Sequence, residues 1–447
     1  MKSVWKTKVA MFTGITAMTV GILGSGVASE PAFASSSKVV HLTYWNMWSG
    51  IWTQVVQKMV NQFNATHPDI QVQMLSVPSS NGEQKLLTSI AAGDPPDVFT
   101  EWNPYVAAMA QQNALMNLNK FMVGKYAGLK HWFYPVASRW GTYKGQMYAM
   151  PWTMNTFLLY YNKTMMKDAG LNPNKPPKTI AQLEQEQAKM WKFGSGHTVQ
   201  QIGFYPSNAD WDKYMPMFGV TAGQLYNGKK YTMTGKGAKS IMNFYAYFKK
   251  YPFSQVSAFQ KGLSGAAGGS TDPFEIGKQA FMITGMWEIP TIKQENPSLQ
   301  YGAEPIPAAP GGHPNTTWVN GNFNEIPKGS KHPQQAFEFI AWLSGYDNAK
   351  WAASAYPTGG WIPNSPQITK QPAYQKFLNS DPLQKPFVNV MLNPNDQITP
   401  VTPIDMYFEQ SMQTNVDNVL QGKVSPQQAL QQWQTQLNKQ LVTTTAH

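Results

Sequence analysis

Strand-like and helix-like spacings of the apolar residues alternate along the first part of the chain. Apolar and polar residues alternate from Val40 to Tyr44, which predicts a strand, and apolar residues then recur at helical spacing from Val55 to Phe63. The helical pattern stops at His67-Pro68, because proline disfavours helix in the residue before it. Alternation resumes from Ile70 to Met74. A strand, helix and strand in this order predict parallel strands joined by a right-handed crossover.

The same alternation of predicted helices and strands continues further along the chain. A helix is predicted from Leu86 to Ala92, a strand from Asp97 to Thr100 and a helix from Ala107 to Ala114. A second α/β region is predicted from about Pro151, with a strand from Phe157 to Tyr161. Further helices are predicted at residues 183–190, 239–249, 334–343 and 426–441. The chain is therefore predicted to be an α/β protein.

The strand ends mark a possible binding edge. Ligands of open α/β sheets bind beyond the carboxyl ends of the strands. Trp48 follows the first predicted strand, and Glu101 and Trp102 follow the strand that begins at Asp97. We therefore expect two tryptophans to converge on one edge of the sheet.

Length and the N-terminus add two constraints. The 447 residues suggest two domains, and 13% charged residues beside 42% hydrophobic ones indicate a folded protein with a weakly charged surface. Lys2, Lys6 and Lys8, an apolar stretch to about Val27 and the tripeptide Ala32-Phe33-Ala34 have the order of a secretory signal. We expect cleavage after Ala34, the alternative being retention as a membrane anchor. The exported protein is then soluble, in the periplasm or at the cell surface.

Charge and cysteine usage exclude several classes of function. The sequence contains no cysteine, so disulfides, thiolate metal sites, a cysteine nucleophile and a cysteine-linked lipid anchor are excluded. The net charge is +11, but the lysines are scattered, which argues against nucleic-acid binding. Arg139 is the only arginine, although arginine is preferred for phosphate and carboxylate recognition. A strongly anionic ligand is therefore disfavoured.

Motifs for catalysis, metals and cofactors are weak or missing. Residues 223–230 have the spacing of a phosphate loop, but Lys230 stands where the magnesium ligand Ser or Thr is required. Neither metal-ligand spacing nor a dinucleotide fingerprint is present, so we expect no metal and no cofactor. A carboxylate pair for glycoside hydrolysis stays open as an alternative. Its candidates are Glu101, Asp210, Asp212, Glu275 and Glu288.

Aromatic residues give the strongest signal. They make up 13% of the chain and include sixteen tryptophans. An indole offers a broad apolar face, suited to the C–H face of a sugar ring, together with one hydrogen-bond donor. Trp45, Trp342 and Trp351 lie in periodic apolar segments and are interpreted as structural. The candidates for ligand contact follow predicted strand ends or turns, and they are Trp48, Trp102, Trp152, Trp211, Trp287 and Trp361.

Ordered motifs along almost the whole exported chain resemble the family 1 extracellular solute-binding proteins of ABC importers, the group that includes maltose-binding protein. The segment AAGDPPDVF at 91–99, followed by QQNALMNLNKF at 111–121, resembles the family signature. GQMYAMP at 145–151 and LYYNKTMMKDAGL at 159–171 come next. IGKQAFMITGMW at 276–287 and IPKGSKHPQQAFEFIAWL at 326–343 complete the order.

The resemblance implies a periplasmic-binding-protein fold of type II, in which two α/β lobes close about a hinge with the ligand in the cleft between them. The implied lobes are residues 38–151 with 319–355, and residues 152–318 with 356–447. The protein is then a monomeric receptor that delivers a neutral carbohydrate, an oligosaccharide, to permease subunits and has no catalytic residues. Its implied ligand-binding residues are Trp48, Ser49, Glu101, Trp102, Trp152, Thr153, Asp210, Trp211, Trp287, Gly321, Asn322, Gly360 and Trp361.

One departure from the family and two rival functions remain. Relatives from single-membrane bacteria commonly carry a cysteine at the cleavage site, whereas Ala34 is followed here by three serines. A receptor for a polyamine, a glycerol phosphate ester or a metal complex is one alternative. The near absence of arginine disfavours the phosphate ester, but polyamines stay open because aromatic faces also bind cations. A secreted glycoside hydrolase or lyase is the other.

Overall fold

The computed structural model describes residues 39–77, 81–102, 105–206, 210–263 and 272–446. The expected leader, with its cleavage after Ala34, lies outside these residues. In the described part of the chain, helices and strands alternate as an α/β protein. The strands are β1 Val40–Asn46, β2 Ile70–Ser76, β3 Val98–Trp102, β4 Thr142–Tyr143, β5 Gln146–Met147, β6 Ala149–Asn155, β7 Phe157–Asn162, β8 Lys192–Phe193, β9 Val199–Gln201, β10 Phe281–Gly285, β11 Tyr301–Glu304, β12 Asn320–Glu325 and β13 Ile362–Pro363.

The helices agree with the predicted ones where the apolar spacing is regular. Three helices begin at capping boxes, in which the Thr179, Thr221 and Ser425 side chains accept from the backbone N–H three residues on. The helices are α1 Gly50–Thr66, α2 Gly82–Ala91, α3 Val106–Gln111, α4 Pro135–Trp140, α5 Lys163–Asp168, α6 Ile180–Ala188, α7 Ala222–Leu225, α8 Lys236–Tyr247, α9 Phe253–Leu263, α10 Glu288–Glu295, α11 Pro333–Leu343, α12 Ala349–Ala355, α13 Pro366–Thr369, α14 Pro372–Ser380, α15 Lys385–Val390, α16 Asp405–Leu420 and α17 Pro426–Thr445.

The larger sheet has six strands in the order β13, β6, β12, β3, β1, β2. Strand β1 pairs in parallel with β2 and β3, as predicted, whereas β12 runs antiparallel to β3 and β6. Helices α1 and α11 cover this sheet through Phe63, which contacts Phe339 and Trp342 with ring centroids 4.9 and 5.5 Å apart. Trp342 also contacts Trp351 at 4.7 Å, so both have the structural role that their spacing predicted.

The smaller sheet is antiparallel and has the order β10, β7, β11. Its central strand β7 is buried along its whole length. The C-terminal helices α16 and α17 pack on each other and on α8. The two sheets, each with its own helices, give the two-lobed α/β architecture.

A single residue, Thr156, separates β6 in the larger sheet from β7 in the smaller one. Its side-chain hydroxyl donates to the Phe387 carbonyl (2.9 Å), and the Phe157 N–H donates to the Thr317 hydroxyl (2.9 Å). Pairing in the larger sheet includes residues 153–155 and Ile362–Pro363, which lie past the boundaries expected at 151 and 355. The lobe boundaries themselves stay a prediction.

Candidate functional site

Four tryptophans from distant parts of the chain form a continuous series of ring contacts. Trp48 contacts Trp52 and Trp361 with ring centroids 5.9 and 5.3 Å apart, and Trp361 contacts Trp152 at 5.5 Å. Trp48 and Trp52 are half-buried, whereas Trp152 and Trp361 are buried. We call these four residues the tryptophan group. The structure thus brings together three of the tryptophans that the sequence singled out.

The loop after β1 holds Trp48 in place through its backbone. The Asn46 side-chain oxygen accepts from the Trp48 N–H (2.9 Å), and the Trp48 carbonyl accepts from the Thr53 hydroxyl (2.8 Å). Ser49 is exposed and precedes α1, where its side chain makes no capping bond. Gly50 has a φ of +59°, a backbone conformation that favours glycine. This turn directs the first turn of α1, with Trp52, towards Trp48.

Trp152 sits at an irregularity in β6. Asn322 of β12 pairs with Thr153, but the next residue, Phe323, pairs with Pro151, so Trp152 has no partner across the strands. Such a bulge turns a side chain away from the regular alternation. Periodicity alone therefore does not reveal which way Trp152 points.

Thr153, Gly321 and Asn322 support the bulge. The Thr153 hydroxyl donates to the Asn322 side-chain oxygen (2.9 Å), and the Asn322 amide lies 3.0 Å from the Met47 sulfur. A Cβ at Gly321 would lie 2.3 Å from the Thr153 carbonyl oxygen, so only glycine fits without a shift. These three predicted site residues are buried next to Trp152.

A glycine turn carries Trp361 to the group. Its ring lies over Gly359, where an added Cβ would be 2.5 Å from the indole, and the Gly359 carbonyl accepts from Trp52 Nε1 (3.2 Å). Gly360 has a φ of +67°, and a Cβ there would lie 3.9 Å from the Trp287 Cα. The loop before β13 therefore reaches both the tryptophan group and Trp287.

Trp287 follows β10 and stands between the two sheets. Its ring lies over Gly285, where a Cβ would be 2.0 Å away, and contacts the Phe157 ring at 5.6 Å in an edge-to-face arrangement. Trp287 is half-buried, so part of its face is open. Because Phe157 begins β7, this contact links Trp287 to the smaller sheet.

A cavity of about 380 Å³ lies in the region of the smaller sheet. Asp210, Lys213, Thr284 and Glu288 contribute polar atoms to its lining, together with Ser257 and Gln279. We call it the polar cavity. Asp210 and Lys213 form an ion pair, and the Lys213 ammonium lies 4.5 Å from the centroid of the Phe157 ring. Since Phe157 contacts Trp287, Lys213 joins the cavity to the aromatic residues.

Burial raises the pKa of two carboxyl groups that line this cavity, Glu288 and Asp272. Burial and a hydrogen bond with Glu275 raise the pKa of Glu288 to about 9. Asp212 and Glu409 do not line the cavity but interact electrostatically with Lys213, and burial raises the pKa of Asp212 well above its usual range and that of Glu409 to about 7. A protonated carboxyl can donate as well as accept a hydrogen bond. Glu288 can therefore both donate and accept hydrogen bonds in the cavity near neutral pH.

The remaining predicted residues lie elsewhere. Trp211 is fully buried against Trp433, with ring centroids 5.2 Å apart, and the structure does not bring it to the tryptophan group. Glu101 is buried in β3, with its carboxylate next to Gly82 at the start of α2. The backbone of Trp102 pairs with Asn322. The sequence singled out neither Trp52, four positions after Trp48, nor Phe157 and Lys213.

Among the described residues, no helix combines the length and the apolar character needed to cross a bilayer.

A family model described as bacterial extracellular solute-binding protein matches residues 50–350, which is more than half of the chain. Among solved structures, that of CpMnBP1 with mannotriose bound is similar with a TM-score of 0.77 and 31% identity, covering 89% of this chain and 100% of that one. The sugar-binding protein MalE from Xanthomonas citri is similar in fold, with a TM-score of 0.72 and 21% identity over 90% of this chain and 98% of that one.

Two curated relatives extend the comparison. The sn-glycerol-3-phosphate-binding periplasmic protein UgpB of Yersinia enterocolitica is 32% identical over 178 residues, which are 38% of this chain and 40% of the relative. The match thus spans less than half of that relative's length. The maltodextrin-binding protein MdxE of Bacillus subtilis is 22% identical over 340 residues, or 74% of this chain and 75% of the relative.

Proposed function

Because the chain belongs to the bacterial extracellular solute-binding protein family, we propose that it is the receptor of an ABC importer for a neutral carbohydrate, an oligosaccharide. The observation that carries this proposal is the tryptophan group, together with Trp287. The similar protein CpMnBP1 was solved with mannotriose and with mannobiose bound, and these sugars are the first ligands to test.

The tryptophan group suits a sugar for two reasons. Its half-buried members, Trp48 and Trp52, and the open part of Trp287 offer apolar faces for the C–H faces of pyranose rings. The Nε1 atoms of Trp48 and Trp152 are buried without a hydrogen-bond partner among the described residues. An unpaired buried donor costs about 1–3 kcal/mol, so a ligand hydroxyl that accepts from either would be favoured.

The charges support a neutral ligand. The Asp210–Lys213 pair is internally balanced, and Glu288 is protonated near neutral pH because its pKa is about 9. The only arginine, Arg139, donates to the Asp396 backbone carbonyl (2.9 Å). A phosphate ester lacks its usual bidentate partner here, which favours a sugar over a glycerol phosphate.

Closure of the two lobes is the proposed mechanism. Rings from β6 and the loops beside β1 and β13 would meet Trp287 across the cleft and exclude water from the ligand. The polar cavity would then hydrogen-bond hydroxyl groups, because polar groups buried without partners are costly. In this proposal the chain catalyses no reaction, binds as a monomer and passes its ligand to permease subunits. It is exported by the leader, which is cleaved after Ala34.

A thermal-shift screen tests the proposal. The purified protein is heated with mannobiose, mannotriose, maltotriose, 1,4-diaminobutane or glycerol 3-phosphate, and each mixture is afterwards analysed by chromatography. We expect at least one oligosaccharide to raise the melting temperature and to be recovered intact. Cleaved sugar would establish the hydrolase alternative, and a shift with the diamine or the phosphate ester alone would refute the proposal.

A further inference from the structure

Lys213 occupies an unusual position among the described residues that line the polar cavity, because it is the only basic one. Its side chain is 17% exposed and that of its partner Asp210 is 11% exposed, so the ion pair is largely removed from water. The ammonium also faces the Phe157 ring, 4.5 Å from its centroid. A carboxylate and an aromatic face together are the two components of a site for an organic cation.

We propose that Lys213 is a resident cation: its ammonium fills a cation site made by Asp210 and Phe157, and this selects uncharged ligands for the cavity. The inference rests on the proposed function, since it explains why a receptor rich in aromatic residues takes a sugar and not an amine. Lys213 is thus a specificity-determining residue.

The surrounding charges support this role. Asp212 and Glu409 both interact electrostatically with Lys213, but burial raises the pKa of Asp212 well above its usual range and that of Glu409 to about 7. Asp210 is the carboxylate that contacts the ammonium directly. A second cation entering the cavity meets a carboxylate that is already neutralised.

Removing the ammonium should open the site. In Lys213→Ala, Asp210 keeps its buried carboxylate next to the Phe157 ring but loses its cation. The substitution removes three methylene groups and an ammonium, which together have the shape of n-propylammonium. An external alkylammonium of this size should therefore bind in place of the lysine side chain, because an unpaired buried carboxylate is costly.

Calorimetric titration with n-propylammonium chloride and thermal shift in the same salt test this prediction. Lys213→Ala should bind n-propylammonium at least tenfold more tightly than the wild type and gain melting temperature from it. The double variant Asp210→Asn, Lys213→Ala should lose both effects. Lys331→Ala is the matched control, since Lys331 pairs with Asp94 at the surface, where the side chains are 68% and 80% exposed. It should behave as the wild type.

A second variant covers the case in which Lys213→Ala is too unstable to purify. The chain has no cysteine, so Lys213→Cys introduces a unique thiol. Alkylation of the unfolded variant with 2-bromoethylamine, in which the thiolate displaces bromide, restores an ammonium at nearly the length of lysine. The untreated, refolded variant should bind n-propylammonium, whereas the aminoethylated variant should not.

The outcomes separate this inference from the proposed function. The inference is overturned if folded Lys213→Ala does not bind n-propylammonium, or if the double variant still binds it. This holds even if the wild type binds oligosaccharides. A wild type that binds n-propylammonium as tightly as Lys213→Ala does overturns it too. If no sugar binds the wild type but the variant gains the amine, the carbohydrate proposal fails and the resident cation stands.

Discussion

The indole rings of Trp48 and Trp361 lie 5.3 Å apart, and this contact joins the loop after β1 to the loop before β13. Trp361 also contacts Trp152, which stands at the bulge in β6. Three separate segments thereby hold one another in a fixed arrangement beside Trp287. Such preorganisation lowers the entropy that ligand binding must overcome.

Trp48→Ala and Trp287→Ala should each weaken oligosaccharide binding at least tenfold, or about 1.4 kcal/mol, because each removes a partly open ring face. Calorimetric titration measures the change in Kd. Trp351→Ala is the matched control: Trp351 is also half-buried, but it packs on Trp342 at the helices that cover the larger sheet. Unchanged Kd values in both site variants would show that these rings do not contact the ligand.

Trp211→Ala should instead reduce the stability of the protein and leave its affinity for the oligosaccharide unchanged. Trp211 is fully buried and packs edge-to-face on Trp433. Truncating a buried tryptophan to alanine typically lowers the free energy of unfolding by about 3–5 kcal/mol. Urea unfolding measures this loss, and titration below the unfolding transition should give the wild-type Kd. Weaker oligosaccharide binding without a loss of stability would show instead that Trp211 contacts the ligand.

Gly321→Ala should disturb the bulge that presents Trp152. The added Cβ would meet the Thr153 carbonyl oxygen at 2.3 Å, and relief requires a backbone shift. We expect a loss of about 1–3 kcal/mol in the free energy of unfolding, as for overpacked sites, together with weaker ligand binding. Gly223→Ala is the control, because Gly223 lies in helix α7 with no atom within 4 Å of the new Cβ. Equal stability of the two variants would contradict this account of the bulge.

Stability should fall as the pH rises from about 4.5 to 9. Burial raises the pKa of Glu288 to about 9, of Asp396 to about 8 and of Glu409 to about 7, all above the values of about 4 that these groups have when unfolded. The folded state therefore binds more protons than the unfolded state between these limits. The stabilisation is complete below the unfolded pKa values and is lost as the pH passes through the folded ones.

Urea unfolding at a series of pH values measures this dependence. Glu288→Gln should flatten the decline, because the amide stays neutral at every pH. A stability that rises from pH 4.5 to 9, or a slope that the substitution leaves unchanged, would contradict the burial argument.

Regular periodicity made much of the fold predictable. The alternation at Val40 to Tyr44 and at Ile70 to Met74, with helical spacing between them, gives the parallel pair β1 and β2 as observed. The antiparallel strand β12 was not predicted. It is buried on both faces although it contains three asparagines, and its polar side chains depend on partners far away in sequence, such as Asn324 with Thr100.

The candidate site was predictable only where local rules apply. Trp48 lies at the carboxyl end of a parallel strand, and Trp361 follows a glycine pair, so both positions could be inferred. Trp211 was also expected beside turn residues, but its environment is set by Trp433, more than two hundred positions later. Lys213 likewise depends on Phe157, which lies far away in sequence at the start of β7. Contacts of this kind follow from tertiary packing, which a local pattern does not encode.

The most direct test of the central claim is isothermal titration of the wild-type protein with mannotriose and with 1,4-diaminobutane in the same buffer at pH 7. The tryptophan group and the neutral polar cavity predict a single site for the trisaccharide, with a Kd near the micromolar range or about 8 kcal/mol, and no measurable heat from the diamine. Saturable binding of the diamine with no response to mannotriose or any other neutral oligosaccharide would contradict the account.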